Sequence, residues 1–141
     1  MRGRAAASQP ISGLPWQVSR VEFIAAAHEV ETGGACCMFV IDGSIPQAAR
    51  SGYAALVIAY ARAEEPVCIF SDGSAALLIR DGGVDSARVV ARRIFEQMKR
   101  LALEGTLRAG IAALGDDPAA TLDAARAAAE GADPGGTAVA A

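Results

Sequence analysis

Two apolar runs, residues 67–70 and 75–79, flank Ser71-Asp72-Gly73-Ser74, and this arrangement constrains the chain more than any other stretch. Short apolar strands on either side of an Asp-Gly pair make a tight β-hairpin. Asp and Gly both tolerate the positive φ that such a turn demands, so the turn chemistry and the apolar pattern agree. A turn of this kind can also present a working carboxylate, or a backbone that phosphate can approach. The hairpin is therefore where the question of function starts.

The elements around it follow from spacing. Ser19 stands three residues before Glu22, a capping-box spacing that opens a helix, with Val21, Ile24, Ala27 and Val30 as its stripe and Gly33-Gly34 as its stop. His28 lies in that helix as a solvated or edge residue. Residues 35–41 are continuously apolar, the mark of a strand buried on both faces. The strand ends at Asp42-Gly43. An acid there suits a metal or substrate ligand in an α/β protein, and equally a cap at a strand exit. Pro46 opens the next helix, whose inner face carries Tyr53, Leu56, Val57 and Tyr60. After the hairpin, Asp85 is placed to cap a long helix with a stripe of Val90, Ile94, Met98 and Leu101. Its outer face carries Arg88, Arg92, Arg93, Lys99 and Arg100, the main basic patch and read as a solvated face. Residues 106–114 read as a strand. Asp117-Pro118 starts an Ala-rich last helix reaching about Glu130, where small residues allow close packing. The order α, β, α, ββ, α, β, α predicts an α/β sandwich: a central mixed sheet that includes the β-hairpin, flanked by helices. Residues 1–8 read as a flexible tail, 9–130 as the domain, and 131–141 as a Gly/Pro-containing tail with room for one short edge strand.

Composition removes several function classes. With 141 residues, 52% apolar and 21% charged, the chain is long enough for one real core and not disordered. A net charge of −3 provides no broad basic face for a phosphate backbone, which argues against nucleic acid as a partner. No apolar run reaches membrane-spanning length, and the basic start lacks an apolar signal core, so a cytoplasmic location without membrane insertion is expected. Cys36, Cys37 and Cys68 form no C-x-x-C and no cluster with the lone His28. They read as small buried apolar side chains rather than ligands or redox groups. No glycine-rich dinucleotide fingerprint or P-loop is present.

The order and the motifs together resemble the GGDEF (diguanylate cyclase) domain, a palm-related α/β fold, over nearly the full length. Gln9-Pro-Ile-Ser-Gly-Leu-Pro-Trp16 resembles the opening D-x-L-T-G-L-x-N turn. Cys37-Met-Phe-Val-Ile-Asp42 resembles the first strand with its metal-binding Asp at the end. Residues 62–79 align without a gap on R-x-x-D, five spacers, G-G-D-E-F and the second hairpin strand. Thr106-Leu-Arg-Ala-Gly-Ile-Ala112 resembles the late T-V-S-I-G-V-A strand. The family makes cyclic di-GMP from two GTP, each held by one domain of a dimer, with glycines at the hairpin approaching phosphate and acidic side chains serving the metal.

Here Ser71, Asp72, Gly73, Ser74 and Ala75 occupy the five signature positions. Gly73 and Ser74 stand where carboxylates are needed, and Ser71 and Asp72 add bulk where glycine is needed. Asp72 also places negative charge where a polyphosphate would lie. The run after Asp42 lacks the phosphate- and base-reading residues. The short path from Asp42 to Arg62 omits the loop with the second guanine-contacting acid. The late Lys and Arg fall at Glu130 and Pro134. Phosphoryl transfer depends on metal and cationic positioning, so the resemblance implies a non-catalytic domain with no cofactor, no bound metal and Asp42 as a relic metal acid. The expected role is a protein-interaction or homodimerisation module in bacterial signalling. The alternative is a receptor for cyclic di-GMP or a nucleotide, through Arg62 and Glu65 of a partial R-x-x-D site. A diverged nucleotide cyclase or polymerase using Asp42 and Asp72 as its metal pair is the third reading.

Overall fold

β2 (Ala35–Ile41) is the strand on which the other elements are stacked. In the computed structural model, which describes residues 17–61 and 66–141, it is buried almost throughout and lies inside a six-stranded sheet of order β1-β3-β4-β2-β5-β6. The other strands are β1 (Gln17–Val18), β3 (Val67–Ile69), β4 (Ala75–Ile79), β5 (Leu107–Ala113) and β6 (Thr137–Val139). β2 runs antiparallel to both neighbours, β4 and β5, while β1 on β3 and β6 on β5 are parallel. The sheet is therefore mixed, as expected. The tail 1–8 and the opening turn 9–16 of the resemblance lie outside the described residues.

Alternation along β2 separates two apolar layers. Its odd residues Ala35, Cys37 and Phe39 pack with Ala54 and Val57 of α2 (Gln47–Ala61) and with Ala87, Ala91, Ile94 and Met98 of α3 (Gly83–Arg100). Its even residues Cys36, Met38 and Val40 pack with Phe23 and Ala27 of α1 (Arg20–His28) and with Leu122, Ala125 and Ala129 of α4 (Pro118–Glu130). A period of two sends successive side chains to opposite faces, and both faces are covered. The three cysteines are buried and unpaired. Burial pushes the Cys36 and Cys68 thiols up to about 12 and Cys37 further still, so none offers a thiolate near neutral pH.

Local chemistry sets the helix ends. The Ser19 hydroxyl accepts from Glu22 N at 3.1 Å while Glu22 Oε1 accepts from Ser19 N at 2.9 Å, a complete capping box. Asp117 Oδ1 accepts from Ala119 N at 3.1 Å with Pro118 in the first turn. α3 differs from expectation. Its cap is Gly82 in the left-handed region (φ 83°), with Asp85 already inside the first turn, where its charge complements the helix dipole. Two stripes also shift. α1 turns Phe23 and Ala27 inward and leaves Val21 68% exposed, and α3 buries Ala87 and Ala91 while Leu101 stays 46% exposed. In α3 the expected Ile94 and Met98 are nevertheless buried and Val90 packs against the core, so only the Leu101 end of its stripe departs. His28 is exposed, Tyr53 and Leu56 are half-buried against the core, and Arg88, Arg92, Lys99 and Arg100 face solvent.

α4 packs backbone to backbone on β5. A Cβ at Gly110 would stand 2.1 Å from Ala125 O and 2.3 Å from Ala129 N, both backbone atoms with nowhere to go. The Ala-rich helix and this glycine are thus one packing unit. Gly110→Ala is expected to force the helix off the sheet and lower stability by about 3 kcal/mol, read as a reduced urea midpoint. Gly105→Ala, in open space, is the control and stays within about 0.5 kcal/mol.

Candidate functional site

The hairpin turn is a three-residue loop, Ser71-Asp72-Gly73, joining β3 to β4. Gly73 N donates to Phe70 O and Phe70 N donates to Ser74 O, each at 2.9 Å. Gly73 carries a φ of 88°, and in this loop it alone uses the left-handed region. The expected positive φ at Asp72 is absent. Asp72 instead works through its carboxylate: Oδ1 accepts from Ser74 N at 3.0 Å and from the Ser74 hydroxyl at 2.6 Å. A type I turn closed by a left-handed glycine needs only one such residue, which frees the Asp to cap the turn.

Each side of this turn meets an arginine from a different helix. On the α2 side, a Cβ at Gly73 would lie 2.6 Å from Arg50 Cβ and 2.9 Å from Ile41 Cδ1. The Arg50 guanidinium donates to Asp72 O at 3.1 Å, Ile45 O at 3.2 Å and Asp42 O at 3.3 Å, and Gln47 Nε2 donates to Ser71 O at 3.1 Å. Two of these contacts, to Ser71 O and Asp72 O, latch the start of α2 to the hairpin tip, and the other two tie Arg50 to the β2–α2 connection. On the α4 side, Arg126 reaches Asp72 Oδ2 at 3.2 Å and Ser74 Oγ at 2.7 Å, with its guanidinium 5.0 Å above the Phe70 ring. Strand alternation carries over the turn: Gly73 faces α2, and Asp72 and Ser74 face α4.

Burial alone would raise the Asp72 pKa. The Ser74 hydroxyl and N–H and the Arg126 charge outweigh it and hold the carboxyl below its usual range. Its charge is thus paired with Arg126 while the side chain stays about half exposed. Ala75, the fifth signature position, is buried in β4.

Asp42 sits at the exit of β2 and does local work. Its N–H donates to Thr106 O at 2.8 Å, and its Oδ2 accepts from Ser44 N at 3.0 Å and from the Ser44 hydroxyl. Arg108 of β5 lies 3.9 Å from Oδ1. Ser44's hydrogen bonds, helped by Arg108 and Arg50, hold the Asp42 carboxyl below its ordinary value. This is the geometry of a strand-exit cap. Asp42 and Asp72 are joined through Arg50 at their backbone carbonyls, while their carboxylates are committed to Ser44 with Arg108 and to Ser74 with Arg126. Among the described residues no group of three or more His, Cys, Asp or Glu is placed to hold a metal ion. Gly73 offers no side-chain donor, and the Ser74 hydroxyl is engaged by Asp72 and Arg126. Arg62 and Glu65 lie outside the described residues.

Arg50 and Arg126 are what sequence reading missed. Arg126 lies 52 residues from Ser74 and 54 from Asp72, beyond the reach of any local pattern. Its one signal was being the lone cation of an Ala-rich helix.

Two solved structures share this architecture. The isolated GGDEF domain of TpbB (YfiN) from Pseudomonas aeruginosa superposes with a TM-score of 0.62 and 22% identity, over 85% of this chain and 84% of that one. An EAL/GGDEF domain protein from M. capsulatus superposes with a TM-score of 0.67 and 13% identity, over 86% and 93%. The chain has the GGDEF-type, palm-like α/β fold. No protein-family profile and no curated protein matches it.

The depressed Asp72 pKa has a direction that can be measured. Its stabilisation is present above the unfolded value and is lost as pH falls through the lower folded value. Asp72→Asn is expected to lower Tm at pH 6–7, and the gap to the wild type should close below about pH 4. Arg126→Ala should cost at most about 1 kcal/mol at neutral pH, because Asp72 is half-exposed. A constant gap across the whole range would show that the carboxylate charge is not what Arg126 holds.

Proposed function

We propose that this chain is a GGDEF-type domain that works without nucleotide chemistry, as a protein-interaction or dimerisation module in bacterial signalling, in the cytoplasm. The observation that carries this reading is the internal occupation of the hairpin tip. Phosphate binding at such a turn needs open backbone N–H groups and nearby unpaired cations. The N–H groups of Gly73 and Ser74 already donate to Phe70 O and Asp72 Oδ1. The cations at the turn, Arg50 and Arg126, are already committed to the protein's own carbonyls, carboxylate and hydroxyl. A triphosphate would have to displace these contacts with no acidic metal pair to help it. No described helix is long and apolar enough to cross a membrane.

Incubation of the pure chain with GTP and Mg²⁺ or Mn²⁺, followed by chromatography, should give no cyclic di-GMP above the protein-free background. Turnover would sink the reading. Calorimetric titration with cyclic di-GMP should be silent. Saturable binding removed by Arg62→Ala, with Tm unchanged, would instead make the chain a receptor acting through Arg62 and Glu65.

A further inference from the structure

The sheet ends in an open strand that lies beside the basic helix. Among the described residues β6 pairs only with β5. Ala109 N donates to Gly136 O and Ala140 N donates to Ile111 O, so the even residues of β6 turn their backbone groups inward. The N–H and C=O groups of Thr137 and Val139 therefore point out along the free edge, a template for another strand. Natural edges are usually blunted by shortness, as this three-residue strand partly is, or by an inward charge, a proline or a covering loop. Thr137-Ala138-Val139 carries neither a charge nor a proline.

Above this edge lies a groove of about 280 Å³ lined by Arg88, Arg92 and Phe95 of α3 and by Gly135 and Thr137. Arg88 and Arg92 are one helical turn apart and exposed, and among the described residues neither enters an ion pair. α3 bears five basic residues against the acids Asp85 and Glu96, so it is net positive on a chain of net charge −3. An edge with free backbone groups, a half-buried aromatic and two exposed guanidiniums match an extended strand with carboxylates at alternate positions.

We propose that the β6 edge, with Arg88, Arg92 and Phe95, docks an extended acidic segment of a partner protein by strand addition. The peptide backbone pairs with Thr137 and Val139. Its residues on the α3 side place carboxylates at Arg88 and Arg92 and an apolar side chain against Phe95. This inference rests on the protein-contact reading and gives it a location and a ligand chemistry. Backbone pairing supplies affinity, and the two arginines select acidic sequence.

The test is a titration of the full chain with a fluorescein-labelled peptide whose alternate positions read Glu, Glu and Val with Thr between them, so that one face carries both carboxylates and the apolar side chain, followed by anisotropy and by ¹⁵N NMR. A Lys-for-Glu peptide and a single-stranded oligonucleotide serve as competing probes. Saturable binding weakened by salt is expected, with amide shifts at residues 137–139 and along α3. Arg88→Glu with Arg92→Glu should weaken it by roughly tenfold or more. Both side chains are exposed, so the double variant keeps its circular dichroism. Thr137→Pro, which removes an outward N–H and no ladder bond, should weaken binding as well. Absence of binding, equal binding of the Lys peptide, or preference for the oligonucleotide overturns the site. These outcomes are separable from the fate of the broader reading, which falls on GTP turnover and not on peptide silence.

Discussion

β2 has no water on either side, and that leaves one way to satisfy its backbone. Each N–H and C=O of residues 35–40 must pair with a neighbouring strand, because an unpaired buried amide costs more than any local rearrangement recovers. The registers with β4 and β5 supply those partners: Phe39 lies opposite both Ala75 and Ala109, and Ala35 opposite both Ile79 and Ala113. Once these ladders form, the alternation of β2 assigns α2 and α3 to one face and α1 and α4 to the other. The hairpin is brought to the end of β2 by the same registers, since Ala75 follows the turn directly.

That placement explains why the turn interacts with two helices at once. A loop at the rim of a sheet covered on both sides has one neighbour per face, and here each neighbour supplies an arginine. Arg50 gathers carbonyl oxygens from both loops, and Arg126 gathers a carboxylate, a hydroxyl and an aromatic face. Guanidinium groups suit this because five donors in a plane can serve several acceptors together. At the turn itself the carboxylate, the hydroxyl and the two guanidiniums satisfy one another, whereas Nε of Arg108, beside Asp42, is buried without a hydrogen-bond partner.

The other end of the cross-section is different. The helix–sheet unit of α4 and Gly110 is closed and backbone-tight, but β6 beyond it is short and paired on one side only. Positive charge is collected on α3 beside that edge although the chain as a whole is acidic. The molecule therefore has one rim where a turn is tied to two helices by arginines and one edge whose outward backbone groups have no strand partner among the described residues.

Much of this was legible locally. The boundaries of β2, the capping box at Ser19, the Asp117-Pro118 start of α4 and the hairpin between apolar runs all follow from hydrogen bonds and periodicities spanning a few residues. Those forces act on neighbours in sequence, so a sequence displays them. The resemblance to the GGDEF fold rested on the order of such elements, and the architecture agrees with it. What tertiary structure alone decided were relations between distant segments: the Arg126–Asp72 and Arg50–Asp72 contacts, the parallel edge strands β1 and β6, the Phe23–Ala27 face of α1 and the glycine cap of α3. Each depends on how far a helix stands from the sheet and which rim it overhangs. That spacing is set by the summed volume of many side chains, and no single stretch of sequence carries it.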